Sequence, residues 1–171
     1  PFTSTHSKRV ATIARKLGQE LHMSHRDIFL LEIAGELHDI GKLSVPSSIL
    51  HKEGNLTAEE YKIIKQHTYH TYHLIDRLND MDKVRDWAAF HHEKLDGSGY
   101  PFRLRAGELD LGSRIMAVAD ITTALSEDRP YRGRLPEDRI INILWDQVKN
   151  NKIDGDIVRT VEANFNSIVL N

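Results

Sequence analysis

His38 and Asp39 stand side by side between Leu37 and Ile40, on what should be the buried stripe of a helix. Neighbouring helical residues point about 100° apart and a core-facing stripe is about that wide, so both side chains can reach one cavity. A lone carboxylate buried there would be costly. A divalent cation removes that cost by neutralising the charge and taking up lone pairs. Taken alone, a His-Asp pair is more often a buried hydrogen bond or a cap at a helix end. Other polar residues set against apolar segments shift the balance. His6 opens an amphipathic stretch, and His67 begins a cluster with His70 and His73. His91-His92 follows Trp87-Ala88-Ala89-Phe90, and Asp120 follows Met116-Ala117-Val118-Ala119. Each belongs to a different segment expected to be helical, and bundle cores build metal sites in this way.

This pattern predicts one ion held by His6, His38, Asp39 and Asp120. A second would be held by His67, His91 and His92, with Asp39 as a bridge. Nitrogen and oxygen donors without sulfur suit Fe, Mn, Zn, Co or Ni. Two ions roughly 3.5–4 Å apart can share a hydroxide, which is a nucleophile at neutral pH. His70 and His73 follow His67 at i+3 and i+6, so either is an alternative to it as a ligand. His22, His25 and His51 sit among charged or loop residues and are expected in solvent.

The elements that must carry these groups are helices. A chain of 171 residues, 40% hydrophobic and 28% charged, fits one domain with one core. Its net charge of −2 gives no nucleic-acid footprint, and the absence of cysteine excludes disulfides and thiolate ligands. No apolar run approaches a membrane span, and no signal segment is visible. The start at Pro1 reads as a piece cut from a longer protein. Val10, Ile13, Ala14, Leu17 and Leu21 form the apolar stripe of a helix over His6–His22. Ser24 is the expected N-cap of a second, carrying Ile28, Leu31, Ala34 and Leu37 and ending near Gly41 in a left-handed conformation. Thr57-Ala58-Glu59-Glu60 has capping-box form, so a helix should begin at Ala58. Tyr61, Ile64, Leu74, Ile75 and Leu78 supply its apolar positions, with a break near His67. Further helices are expected over Lys83–His92, over Leu111–Leu125, from Pro136 to Lys149 and over Asp156–Phe165. A Gly- and Pro-rich loop, Asp96–Pro101, interrupts them. The fold class is therefore an all-α, single-domain bundle.

Read together, the motifs resemble the HD-GYP subgroup of the HD phosphohydrolase superfamily. They are His6-Ser7-x-x-Val10-Ala11, His38-Asp39-Ile40-Gly41-Lys42 and His67. Then come His91-His92-Glu93-Lys94-x-Asp96-Gly97-Ser98-Gly99-Tyr100-Pro101, Ala119-Asp120 and Arg129-Pro130-Tyr131-Arg132. The resemblance implies one domain over residues 1–171, with the motifs in 6–135 and closing helices in 136–171. It also implies a Gly-rich loop beside the metal site. The implied activity is hydrolysis of the bacterial second messenger cyclic di-GMP to the linear dinucleotide or GMP, in a cytoplasmic setting. The implied cofactors are two divalent ions, Fe or Mn first, with Zn, Ni or Co as alternatives. Their implied ligands are His6, His38, Asp39, His67, His91, His92 and Asp120. Asp39 and Lys42 would be catalytic, and Lys42, Tyr100, Arg129 and Arg132 would contact substrate. The Gly99-Tyr100-Pro101 loop would also meet a protein partner.

The chain departs from the family pattern in three places. Phe2 stands where some members carry a Glu for a third ion, which favours two ions. Thr123 replaces a usual Asp, removing a carboxylate near the site. Thr68 and Thr71 replace a usual Pro and Gly, read as helix-packing changes. Glu93 is expected to orient a ligand histidine, with a salt bridge to Lys94 or another neighbour as the alternative. Arg129 and Arg132, three apart, suit a second phosphate; surface ion pairs with Glu127 or Asp128 are the competing reading. Against the enzyme stand two other functions: a binding module without turnover, favoured by Thr123, and hydrolysis of another phosphate ester.

Overall fold

The computed structural model describes residues 2–128 and 133–170, with side chains from Thr5 onward. Arg129 and Arg132, and the Phe2 side chain, lie outside what is described. Eight α-helices are described: α1 (Phe2–Glu20), α2 (His25–Leu37), α3 (Ser47–Leu50), α4 (Ala58–Ile75), α5 (Asp82–Ala89), α6 (Leu111–Ser126), α7 (Glu137–Lys149) and α8 (Gly155–Ala163). Among the described residues the only strand-type pairing is an isolated bridge between Asp96 and Arg105. No described helix is long and apolar enough to cross a membrane.

α6 is the axis. It is buried over most of its length, with Ile115, Met116, Val118 and Ala119 fully enclosed, as expected of a helix surrounded by others. α1 packs Val10, Ile13, Ala14 and Leu17 toward it, and α5 adds Val84, Trp87 and Ala88. Asp110 caps α6 by accepting from Ser113 N–H at 2.9 Å, and also accepts from Trp87 Nε1 at 2.9 Å. One carboxylate thus fixes the start of α6 against α5. α7 and α8 cover the far side through Ile140, Leu144, Ile157 and Val161. Ser24 caps α2, and the capping box at Thr57 and Glu60 starts α4 at Ala58, both as expected.

Two features differ from the sequence reading. α2 ends at Leu37, before His38, and a tight 3-10 turn, Ile40–Ser44, follows. Thr71 of α4 ends the helix early: its hydroxyl donates to the His38 carbonyl at 3.2 Å and accepts from Gly41 N–H at 3.0 Å. Gly41 is not left-handed; it is needed for approach, because a Cβ would strike the His67 carbonyl and lie 2.6 Å from Thr71 N. α4, in turn, runs without a break through His67, having no Pro or Gly inside it. Its buried face is His67, Thr68, Thr71 and Ile75, while Tyr61, Leu74 and Leu78 are exposed. Its inward face therefore serves the polar site more than the apolar core.

Thr71 is thus a clamp on the segment bearing Asp39 rather than a packing change. Thr71→Val keeps the shape but strands a buried N–H and a carbonyl, at an expected cost of about 1–3 kcal/mol. Urea unfolding measures this; a loss below the error of that measurement would contradict the clamp.

Candidate metal centre

His38, His67 and His91 share one device. Each ring places Nδ1 2.7 Å from the carbonyl three residues earlier, that of Gly35, Ile64 and Ala88 respectively. A carbonyl only accepts, so Nδ1 carries the proton and Nε2 of the neutral ring presents a lone pair. All three rings are buried, and the Nε2 atoms of His67 and His91 have no hydrogen-bond partner. Buried acceptors without donors are costly. A neutral His67 also faces Asp39 Oδ1 at 3.3 Å, lone pair against lone pair, which only a proton or a cation between them relieves. This donor set fits a metal.

The structure gathers all seven of the sequence-nominated groups into one cavity. Their donor atoms fall into three overlapping sets, each within 4.8 Å: His6, His38 and Asp120; His38, Asp39 and His91; His67, His91 and His92. Asp39 lies between, with Oδ1 toward His67 and Oδ2 3.5 Å from His38 Nε2. Lys42 Nζ meets the same Oδ2 at 2.6 Å. His67, not His70 or His73, faces the cavity; His73 is exposed and packs edge-on to Tyr69. His22, His25 and His51 are exposed, as expected.

α5 stops at Ala89, so His91 and His92 lie on the following turn rather than within a helix extending to His92. Glu93 does neither of the things expected of it. Buried, it accepts from Phe102 N–H at 2.6 Å and Leu104 N–H at 3.0 Å, pinning the glycine-rich loop. Gly99 lets that loop close down: a Cβ would sit 2.5 Å from Glu93 Cα and Lys94 N. One face of Tyr100 is taken, its ring stacking on His92 at 4.9 Å between centroids, and the Lys65 ammonium lies 5.2 Å from its centroid. With Tyr69, His70 and Pro101 it lines a groove of about 450 Å³ beside the cavity.

Sequence reasoning missed Glu127. It is buried, and its Oε2 lies 2.9 Å from His6 Nδ1, while Asp120 Oδ1 lies 3.0 Å from His6 Nε2. The available signal was its place seven residues, two helical turns, beyond Asp120.

The charges respond to burial and to each other. Without a metal cation the relief must come from a proton: burial pushes Asp39 up, but a hydrogen bond from a protonated His67 ring and the positive charge of His38 and Lys42 outweigh it and hold the carboxyl well below its usual range. Asp120 is likewise lowered, its burial outweighed by His6 and the neighbouring rings. Burial would lower His6, yet Asp120 and Glu127 outweigh it and raise the pKa. Burial brings His92 down to about 4 and His91 well below its ordinary value.

These shifts set a pH dependence for the metal-free fold. His91 and His92 bind protons more readily unfolded, so their contribution is intact above pH 6.5 and is lost as pH falls toward about 4. His6 has the opposite sign: its contribution is full below pH 6.5 and fades as pH rises through its raised pKa. Two rings outweigh one. His92 alone should remove about 2 kcal/mol between pH 7 and 5, a fall in Tm of roughly 4–8 °C. Thermal melts of chelator-treated protein check this; a Tm unchanged or higher at pH 5 would contradict it.

Against known proteins, the HD domain family model matches residues 1–157. The chain belongs to the HD-domain family. Within it, the His38-Asp39 and Gly99-Tyr100-Pro101 motifs set this HD domain in the HD-GYP subgroup. It is 38% identical over 163 residues, 95% of its length, to 3'3'-cGAMP-specific phosphodiesterase 1 of Vibrio cholerae, of which it covers 38%. It is 38% identical over 136 residues, 78% of its length, to a cyclic di-GMP phosphodiesterase of Thermotoga maritima, of which it covers 37%. The HD domain thus spans less than two fifths of these relatives. Its fold matches Bd1817, an HDG"Y"P protein of Bdellovibrio bacteriovorus. The TM-score is 0.76 at 18% identity, covering 96% of this chain and 53% of that one.

Proposed function

We propose that this HD domain is the catalytic part of a metal-dependent phosphodiesterase that opens a cyclic dinucleotide, with cyclic di-GMP as substrate and the linear dinucleotide or GMP as product. One observation carries the reading: three buried imidazoles, locked with Nδ1 protonated, converge their Nε2 lone pairs beside two buried carboxylates. Two divalent ions, Fe or Mn, would fit that donor set. His6, His38 and Asp120 would hold one, His67, His91 and His92 the other, and Asp39 would serve both. Bound there, such ions supply neutralisation of phosphoryl charge and an activated water.

The chain's own residues do the rest. Lys42 brings an ammonium to the edge of the cavity, held by Asp39, where it can meet a phosphate oxygen and the charge that develops on it. Arg129 and Arg132 would take the second phosphate of the ring. Tyr100, fixed by His92 on one side, lines the groove in which a base would lie. The same loop would meet a protein partner, and the unit would act in the cytoplasm.

The likeness to a 3'3'-cGAMP-specific enzyme over 95% of the chain supports a second substrate, the mixed guanine–adenine ring. Manganese- or iron-loaded protein incubated in parallel with cyclic di-GMP, 3'3'-cGAMP and cyclic di-AMP tests both. Chromatography should show linear product from cyclic di-GMP, and a faster rate with 3'3'-cGAMP would move the assignment to it. Binding without hydrolysis of any of the three would overturn the enzyme in favour of a regulatory module.

A further inference from the structure

His38, His67 and His91 are oriented by the main chain; His6 is not. No carbonyl of α1 takes its Nδ1, which lies instead 2.9 Å from Glu127 Oε2, a partner 121 residues away in sequence. Glu127 is buried, and its second oxygen has no hydrogen-bond partner, the Arg9 guanidinium standing 3.8 Å off. Such a carboxylate is expensive to keep, and a structural role on the surface would not need it there.

α6 and the residue that follows it therefore put carboxylates on both ring nitrogens of His6: Asp120 at Nε2, on the cavity side, and Glu127 at Nδ1, behind. Between them the sequence Ile121-Thr122-Thr123-Ala124-Leu125-Ser126 offers no other acid. Thr123 is no substitute, because its hydroxyl donates to the Ala119 carbonyl at 2.7 Å.

We infer that Glu127 is the positioning residue of the candidate centre, holding the Nδ1 proton of His6 so that Nε2 faces a divalent cation shared with His38 and Asp120. A carboxylate accepts only, so it selects the Nδ1-H tautomer, and its negative charge makes Nε2 a stronger donor. Arg9 screens the outer oxygen. This rests on the metal-binding part of the proposed function, not on turnover or on the nucleotide.

The test is calorimetric titration of metal-free protein with Mn²⁺, comparing the unaltered chain, His6→Ala and Glu127→Gln. His6→Ala identifies the binding event that depends on that ring. Glu127→Gln, similar in shape and neutral, should weaken that event by about 10–100-fold and leave the other unchanged. Melting of the metal-free variants at alkaline pH, where the attraction between His6 and Glu127 has faded, separates positioning from folding: Glu127→Gln, whose amide oxygen still accepts from Nδ1, should melt close to the unaltered chain. Nitrogen NMR of the Zn²⁺-loaded protein should show His6 protonated at Nδ1, with that proton signal shifted in the variant. Mn²⁺ affinity within twofold of the unaltered chain would overturn the inference. So would an equal loss at every binding event with a lower metal-free Tm. If no cyclic dinucleotide is hydrolysed but the Mn²⁺ effect appears, the proposed function fails and Glu127 keeps its role.

Discussion

Asp39→Ala is expected to abolish phosphodiesterase activity, by at least about 10³-fold, and to loosen every bound ion at once. The reason is geometric. Asp39 alone among the seven groups turns one oxygen to His67 and the other to His38, so it belongs to both halves of the cavity. Its removal leaves mostly neutral imidazoles, which bind a divalent cation less well without the charge. Lys42 also loses its partner and becomes an unpaired cation at the rim. Elemental analysis of the purified variant beside a turnover assay is the measurement. Two full metal equivalents retained in Asp39→Ala would contradict the bridging role.

Lys42→Met should separate charge on the substrate from charge on the metals. The substitution keeps the length of the stem while removing the ammonium, and turnover should fall by about 10²–10³-fold with metal content unchanged. A parallel loss of metal would show that Lys42 supports Asp39 rather than the phosphate. Between them, the two variants would separate the proposed ion-holding role of Asp39 from the proposed phosphate contact of Lys42.

Most of the helices were legible because their apolar residues recur at helical spacing and their starts carry side-chain caps. α1, α2 and the start of α4 show this, through Val10-Ile13-Leu17, Ser24 and the Thr57–Glu60 box. Where the reading failed, a contact from elsewhere in the chain decided the local outcome. Gly41 looked like a helix terminator by composition, yet α2 had already stopped because Thr71, 30 residues on, captures the turn. His67 could be told from His70 and His73 only by which of three rings on one broad face turns inward, and that depends on the packing of α4. Glu93 looked placed to orient a histidine, but two backbone N–H groups of a loop claim it. Glu127 was invisible for the converse reason: its partner, His6, lies at the other end of the chain. Residue type and spacing nominate donors; long-range packing says which of them are oriented, and by what.

The main-chain anchoring of His38, His67 and His91 has a bearing on how this centre can change over time. A ring tied to the carbonyl of its own segment keeps its aim whatever side chains drift around it, so those corners are insulated from mutation nearby. His6 leans on a removable side chain instead. Selection for a different ion, or an engineer seeking one, would find the least resistance at that corner.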